Sequence, residues 1–222
     1  MNVCVLVGSL RKASLNGMLA NALISLAPSS MEPEVVEIGQ LPFYNQDLER
    51  LIDPPPAPWT AFRQRVNAAD AVLFVTPEYN RSVPAVLKNA LDVGSRPYGS
   101  SVWDRKPGAI VSGSPGAIGA FGANHHLRQS LVFLNVPTMQ QPEAYVGHAH
   151  KLFDQHGKLI NDDTRKFLQQ GRTARPRGLN VEIIHDRGAR CMGQRRSLGW
   201  VVHGEAPVER VGRAGCSMLH LE

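Results

Sequence analysis

Ala71-Val72-Leu73-Phe74-Val75-Thr76-Pro77-Glu78-Tyr79-Asn80 passes from five consecutive apolar residues into a polar turn bounded by proline. An apolar run of this length without polar alternation suits a strand buried on both faces. Such strands occur in parallel sheets covered by helices, so helical segments are expected on either side. Upstream, Trp59 to Ala69 places Trp59, Phe62 and Val66 on one side of a predicted helix. Downstream, Pro84 to Val93 predicts another, with Pro84 near the first turn where a missing N–H does no harm.

The same alternation extends outward. Asn2 to Val7 reads as a buried strand ending at Gly8. Leu15 to Leu26 follows with helical spacing, since Leu15, Met18, Leu19, Ala22, Leu23 and Leu26 share a face, and Pro28 ends it. Glu34 to Ile38 is a shorter strand, and the Pro-rich stretch Leu41 to Pro58 a surface loop. Pro107 to Val111 is a fourth strand that runs into a glycine-rich loop. His125 to Leu134 reads as a helix, Thr138 to Tyr145 contains the fifth strand, and Asp162 to Gln169 opens a last helix. Strands and helices in this order predict an α/β fold of three layers with a five-stranded parallel sheet. Ligands in such folds bind beyond the carboxyl ends of the strands, which directs attention to the loops after Val7, Val75 and Val111.

The first of these loops is Gly8-Ser9-Leu10-Arg11-Lys12-Ala13-Ser14-Leu15-Asn16. Backbone N–H groups at a helix start, aided by the helix dipole, suit a phosphate. Ser9 and Ser14 can donate from their hydroxyls, Arg11 can add charge, and Asn16 can donate its amide. A plain helix cap at Ser14 explains the same residues equally well. The spacing is neither Gly-x-x-x-x-Gly-Lys-Ser/Thr nor Gly-x-Gly-x-x-Gly, which disfavours a nucleoside triphosphatase and a dinucleotide Rossmann site. The second loop, Thr76 to Pro84, is stiffened by two prolines and would project Tyr79 and Asn80 from a rigid turn. That suits a planar heterocycle, and equally a turn with an incidental aromatic. The third loop, Ser112 to Gly122, has four glycines that would let backbone approach a flat ligand, or simply loosen a connector.

Gly-Ser-x-Arg-x-x-Ser-x-Asn, followed some sixty residues later by Pro-Glu-Tyr-Asn-x-Ser-x-Pro-x-x-Leu-Lys-Asn-Ala-x-Asp, resembles the NADPH-dependent FMN reductase family. It looks closest to the bacterial quinone and chromate reductase branch, and His126-Leu127-Arg128-Gln129 continues the match. The resemblance covers about Asn2 to Leu168. It implies a flavodoxin-like fold that binds FMN, takes electrons from NADPH or NADH, and passes them to a quinone-like acceptor, chromate among the candidates, in a ping-pong cycle through flavin N5. It implies that Ser9, Arg11, Ser14 and Asn16 hold the FMN phosphate. By the same resemblance, Pro77, Glu78, Tyr79 and Asn80 line the isoalloxazine, while Ser112, Gly113, Gly116 and Gly119 border its edge. The flavin carries the chemistry, so no side chain is assigned as catalytic. Two alternatives stay open: a reductase that releases reduced flavin, and a non-enzymatic flavodoxin-type carrier. The family's oligomers imply a homodimer or homotetramer.

Charge and composition bound the rest. The net charge of +5 is uneven: residues 1–170 carry 15 Lys+Arg against 14 Asp+Glu, and residues 171–222 carry nine against five. A nearly neutral domain without a basic-aromatic motif does not point to nucleic acid. No apolar stretch approaches ~20 residues, so no membrane span is expected. The start lacks signal-peptide character, and three unclustered cysteines suit a reducing cytoplasm. The histidines His125, His126, His148, His150 and His156 lack the cysteine or carboxylate companions of a metal site, so no metal is expected. From Gly171 onward the chain has nine Arg and no Lys, with no sustained periodicity apart from Val181 to Ile184 and Leu198 to Val202 as possible short strands. A domain over residues 1–170 and an atypical basic tail, frameshifted or disordered and without a catalytic part, is the expectation. The other reading is a genuine basic extension. An altered tail that removed packing would instead leave the protein damaged.

Overall fold

The computed structural model describes residues 1–50 and 54–170. The expectations for the basic tail lie outside these residues. Five strands form one sheet in the order β2-β1-β3-β4-β5. They are β1 (Asn2–Val7), β2 (Glu32–Val35), β3 (Ala71–Thr76), β4 (Gly108–Gly113) and β5 (Ala144–Val146), and every neighbouring pair is parallel. The helices are α1 (Leu15–Ser25), α2 (Gln46–Arg50), α3 (Ala57–Ala68), α4 (Ala85–Gly94), α5 (Phe121–Phe133) and α6 (Asp162–Gln170). The strand order reverses between β1 and β3, so the loops after them flank the topological switch point.

Side-chain alternation divides the core into two layers. Cys4 and Leu6 of β1, Val72 and Phe74 of β3 and Ile110 of β4 pack with Trp59, Phe62 and Val66 of α3, Leu87 and Leu91 of α4, and Leu127 and Leu131 of α5. Val5, Val75, Val111 and Val146 face the other way, against Leu19, Ala20 and Ala22 of α1 and Leu168 of α6. Burying each large apolar side chain stabilises the fold by roughly 1.5–3 kcal/mol. Burial also pushes the Cys4 thiol up to about 12, beyond what the cations of Arg65 and Lys106 offset, so it behaves as a small apolar residue. Among the described residues, no helix is long and apolar enough to cross a membrane.

Several element boundaries differ from the sequence expectation. The second strand is Glu32–Val35, not Glu34 to Ile38, because its pairing runs from Asn2↔Glu32 to Val5↔Val35. Val36 and Ile38 are buried beyond its end. The expected loop Leu41 to Pro58 contains α2 and is pinned to α4. Asn89 accepts from the Tyr44 N–H at 2.8 Å and donates to the carbonyls of Leu41 and Pro42 at 3.2 Å each. Trp59 Nε1 also donates to Pro42 at 2.9 Å, and Tyr44 donates its hydroxyl to Glu49 at 2.9 Å. The fifth strand is confined to Ala144–Val146, with Thr138 making only an isolated bridge to Gly108. Helix α5 starts at Phe121, four residues before the expected His125.

Candidate functional site

The first loop leaves β1 at Val7 and enters α1 through Ser14. Ser14 Oγ accepts from the Gly17 N–H at 3.1 Å, which is the helix-cap role, and its own hydroxyl hydrogen stays free to donate. No acidic residue stands in the first turn of α1, so nothing there offsets the positive end of the helix dipole. The backbone N–H groups of residues 9–13 find no acceptor among the described residues. Arg11 and Lys12 are exposed beside them. Asn16 departs from the expected role: its amide is buried and donates across the sheet end to the Gly113 carbonyl at 3.0 Å. Its Oδ1 is buried with no partner. The structure thus commits this amide to the end of β4, where the sequence reading had it donating to a ligand.

The second loop is a tight two-residue hairpin. Tyr79 and Ser82 exchange backbone hydrogen bonds, Tyr79 N–H to Ser82 O at 3.1 Å and Ser82 N–H to Tyr79 O at 3.0 Å. The two residues between them, Asn80 and Arg81, have φ of 50° and 65°. Two positive φ values are what a type I′ turn requires. Each costs a non-glycine residue roughly 1–2 kcal/mol, with Asn the more tolerant. Tyr79 stands 48% exposed on this turn, Asn80 is exposed and Pro77 half-buried. Glu78 is the exception in the motif: its carboxylate turns toward α5, accepting from the Ala123 N–H at 3.0 Å and facing Arg81 Nη1 at 3.5 Å.

The third loop differs most from the expectation. Ser112 and Gly113 are the last residues of β4 and are buried. The Ser112 hydroxyl donates to Gly119 O at 2.7 Å and accepts from Asn124 Nδ2 at 3.2 Å, so the fold consumes it. Gly113 packs on Leu19. Gly119 is left-handed with φ of 58°, and a Cβ there would stand 2.5 Å from the Tyr145 carbonyl carbon, so it serves close packing on β5. Of the four candidates from this loop, Gly116 is the exposed one.

Two hollows open at this end of the sheet, and Leu10 and Arg11 border both. One, of about 340 Å³, is walled by Gly8, Tyr79, Pro84, Ala85 and Val86. The other, of about 410 Å³, lies between α1 and the end of β2 and includes Ser9, Lys12, Ser14 and Glu37. The sequence reading missed the apolar wall of Leu10 and Pro84 to Val86. An apolar Leu10 within an otherwise polar loop, 54% exposed, was the available signal. It also missed an aromatic group at the other edge. Phe121, His125 and Tyr145 pack with ring centroids 4.2–5.9 Å apart, and His125 Nε2 lies 2.9 Å from the Tyr145 hydroxyl. Burial first, then the hydrogen bond and charge of Glu143, push the Tyr145 phenol up and keep it protonated.

A parallel sheet in 2-1-3-4-5 order, with open N–H donors after its first strand and an exposed aromatic turn after its third, defines a flavodoxin-like fold. The chain belongs to the NADPH-dependent FMN reductase family, whose sequence pattern matches residues 1–151. It is 63% identical over 168 residues to a quinone reductase of Pseudomonas putida, covering 76% of this chain and 89% of that one. It is 50% identical over 169 residues to a 2-hydroxy-1,4-benzoquinone reductase from Burkholderia sp, covering 76% and 91%. The fold matches that of FerB, a flavoenzyme NAD(P)H:(acceptor) oxidoreductase from Paracoccus denitrificans, with a TM-score of 0.72 and 41% identity over 77% of this chain and 92% of that one.

Proposed function

We propose that this protein is an FMN-dependent NAD(P)H:quinone reductase. The observation that carries the reading is the pairing of two chemistries across Arg11. Unpartnered backbone donors, the Ser14 hydroxyl and the guanidinium lie on one side, and an apolar wall with Tyr79 lies on the other. The first set fits a phosphate monoester, which needs donors and positive charge. The second fits a planar ring. The residues present therefore suit FMN. Ser9, Arg11 and Ser14 would hold its phosphate, and Pro77, Tyr79 and Asn80 with the backbone near Gly116 would border its ring.

When bound, FMN supplies hydride acceptance from NADPH or NADH at N5 and delivery of the electrons to a quinone-like acceptor, or to chromate, at the same place. The chain's own contribution is binding and shielding. Leu10, Pro84, Ala85 and Val86 keep water from one side of the hollow, and the rigid Tyr79 turn fixes its rim. Val132 and Phe133, 76% and 89% exposed on α5, support a homodimer or homotetramer in which a second copy covers them.

The reading is tested by the absorbance of the purified protein. FMN should co-purify or bind in preference to FAD, since the described residues offer one phosphate cradle and mark no second site for an adenosine half. NADPH or NADH should bleach the flavin band, and a benzoquinone should restore it. A protein that takes up no FMN, or whose bound FMN ignores both donors, refutes it.

A further inference from the structure

Glu78 stands in the motif expected to line a ring, yet its carboxylate is spent on α5. That helix starts after Ala120 at φ 62° with no side-chain cap; the Phe121 N–H reaches the Ile118 carbonyl at 3.2 Å, while those of Gly122 and Ala123 have no acceptor within the preceding loop. Glu78, 45 residues earlier, supplies one to Ala123 at 3.0 Å, and its charge sits at the positive end of the dipole. The side chain is 13% exposed. A Cβ on Gly122 would stand 2.8 Å from the bonded oxygen, so the carboxylate has its seat because residue 122 carries none. The adjoining Tyr79–Ser82 turn is left-handed at two successive residues. Its other polar tie to α5, among the described residues, is the exposed contact of His126 Nδ1 with Ser82 Oγ at 3.1 Å.

We infer that Glu78 is a positioning residue: its carboxylate clamps the Tyr79–Asn80 turn to the N-terminus of α5 and so fixes the rim of the ring site without touching the ring. The inference rests on the FMN reading for its functional consequence. Its structural half, the coupling of turn to helix, can be read without ligand.

The test uses the full chain stripped of flavin, as wild type, Glu78→Ala and Glu78→Gln. Gln keeps an oxygen that can accept from the Ala123 N–H, and Ala does not. In amide hydrogen exchange, Glu78→Ala should speed Ala123 and residues 79–82 together, with circular dichroism unchanged, and Glu78→Gln should restore both. On titration with FMN, followed by flavin fluorescence, Ala should weaken binding about fivefold or more, the scale of a lost cap. Gln should stay within about twofold of wild type. Wild-type affinity in Glu78→Ala overturns the inference, as does exchange that rises at Ala123 alone. So does a Gln variant that restores exchange and binds FMN as poorly as Ala, since the charge would then act on the ligand itself. Failure of the wild type to bind FMN sinks the FMN reading instead and, with it, the ligand half of the inference. The exchange arm still decides whether Glu78 couples turn to helix.

Discussion

Among single residues, Arg11 and Lys12 offer the sharpest contrast, because they are adjacent, both cationic and both exposed. Arg11 borders both hollows, while Lys12 borders the larger one alone. A guanidinium can fork onto two phosphate oxygens where an ammonium is a point charge. Arg11→Ala should therefore weaken FMN binding by roughly 1.5–3 kcal/mol, or about 10- to 150-fold, the range for a charge-assisted contact. Lys12→Ala should cost under about tenfold, as an exposed cation screened by salt. Fluorescence titration at fixed ionic strength measures both. A larger effect for Lys12→Ala would move the phosphate toward the α1–β2 hollow and away from the loop as assigned. These residues were legible in the sequence because a strand-to-helix loop presents contiguous positions. The sequence did not show that Asn16 turns its amide on Gly113, 97 residues away. A donor's destination is set by whichever acceptor the fold brings near, and here that acceptor lies on a different strand.

At the level of elements, what the sequence made legible depended on whether the cause was local. The runs at Asn2 to Val7 and Ala71 to Val75 marked buried strands, and the structure has β1 and β3 there. The start of α5 was missed by four residues because its capping group comes from Glu78 rather than from a neighbouring Ser or Asp. In the third glycine-rich loop a packing role went unseen for a similar reason. Gly119 is small to clear the backbone of β5, a partner no local pattern reveals. The second loop was legible as a rigid turn, though its hand was not, and that hand leads to a test. Arg81 holds φ of 65° at a position where type I′ turns favour glycine. Its ion pair with Glu78 is 3.5 Å long and the Arg81 side chain is 76% exposed, so solvent screens it heavily. Comparing Arg81→Gly with Arg81→Ala removes the pair from both and leaves the backbone. Relief of left-handed strain, roughly 1–2 kcal/mol, exceeds the extra chain freedom of glycine, roughly 0.5–1 kcal/mol. The Gly variant should melt about 2 °C above the Ala variant by thermal denaturation. The reverse order would mean that the turn is not left-handed at this position in solution.

For the molecule as a whole, the question is which part of the chain the site needs. Among the described residues, both core layers are assembled from residues between Cys4 and Leu168, and the five strands of the sheet lie between Asn2 and Val146. The family pattern ends at residue 151, and the alignment to the Pseudomonas putida relative uses 168 residues while covering 89% of that protein. The loops that border the hollows come from β1, from the end of β2 and from the β3–α4 connection. No part of this accounting draws on the basic segment, which carries nine Lys+Arg against five Asp+Glu, and an excess charge that makes no contact with a bound anion acts on it through the long-range field alone. Such an effect is screened within about 10 Å at ~0.1 M salt. Removing residues 171–222 should therefore leave FMN affinity and NAD(P)H turnover within about threefold of the full chain at that ionic strength. Below about 0.01 M salt, where the screening length is ~30 Å, a somewhat larger loss of affinity for the phosphate is expected. The measurement is paired titration and steady-state kinetics of the two chains at both salt concentrations. A truncated protein that loses FMN binding at ~0.1 M salt would place a residue beyond Gln170 in the site, and the domain boundary drawn from the sequence would have to move into the basic segment.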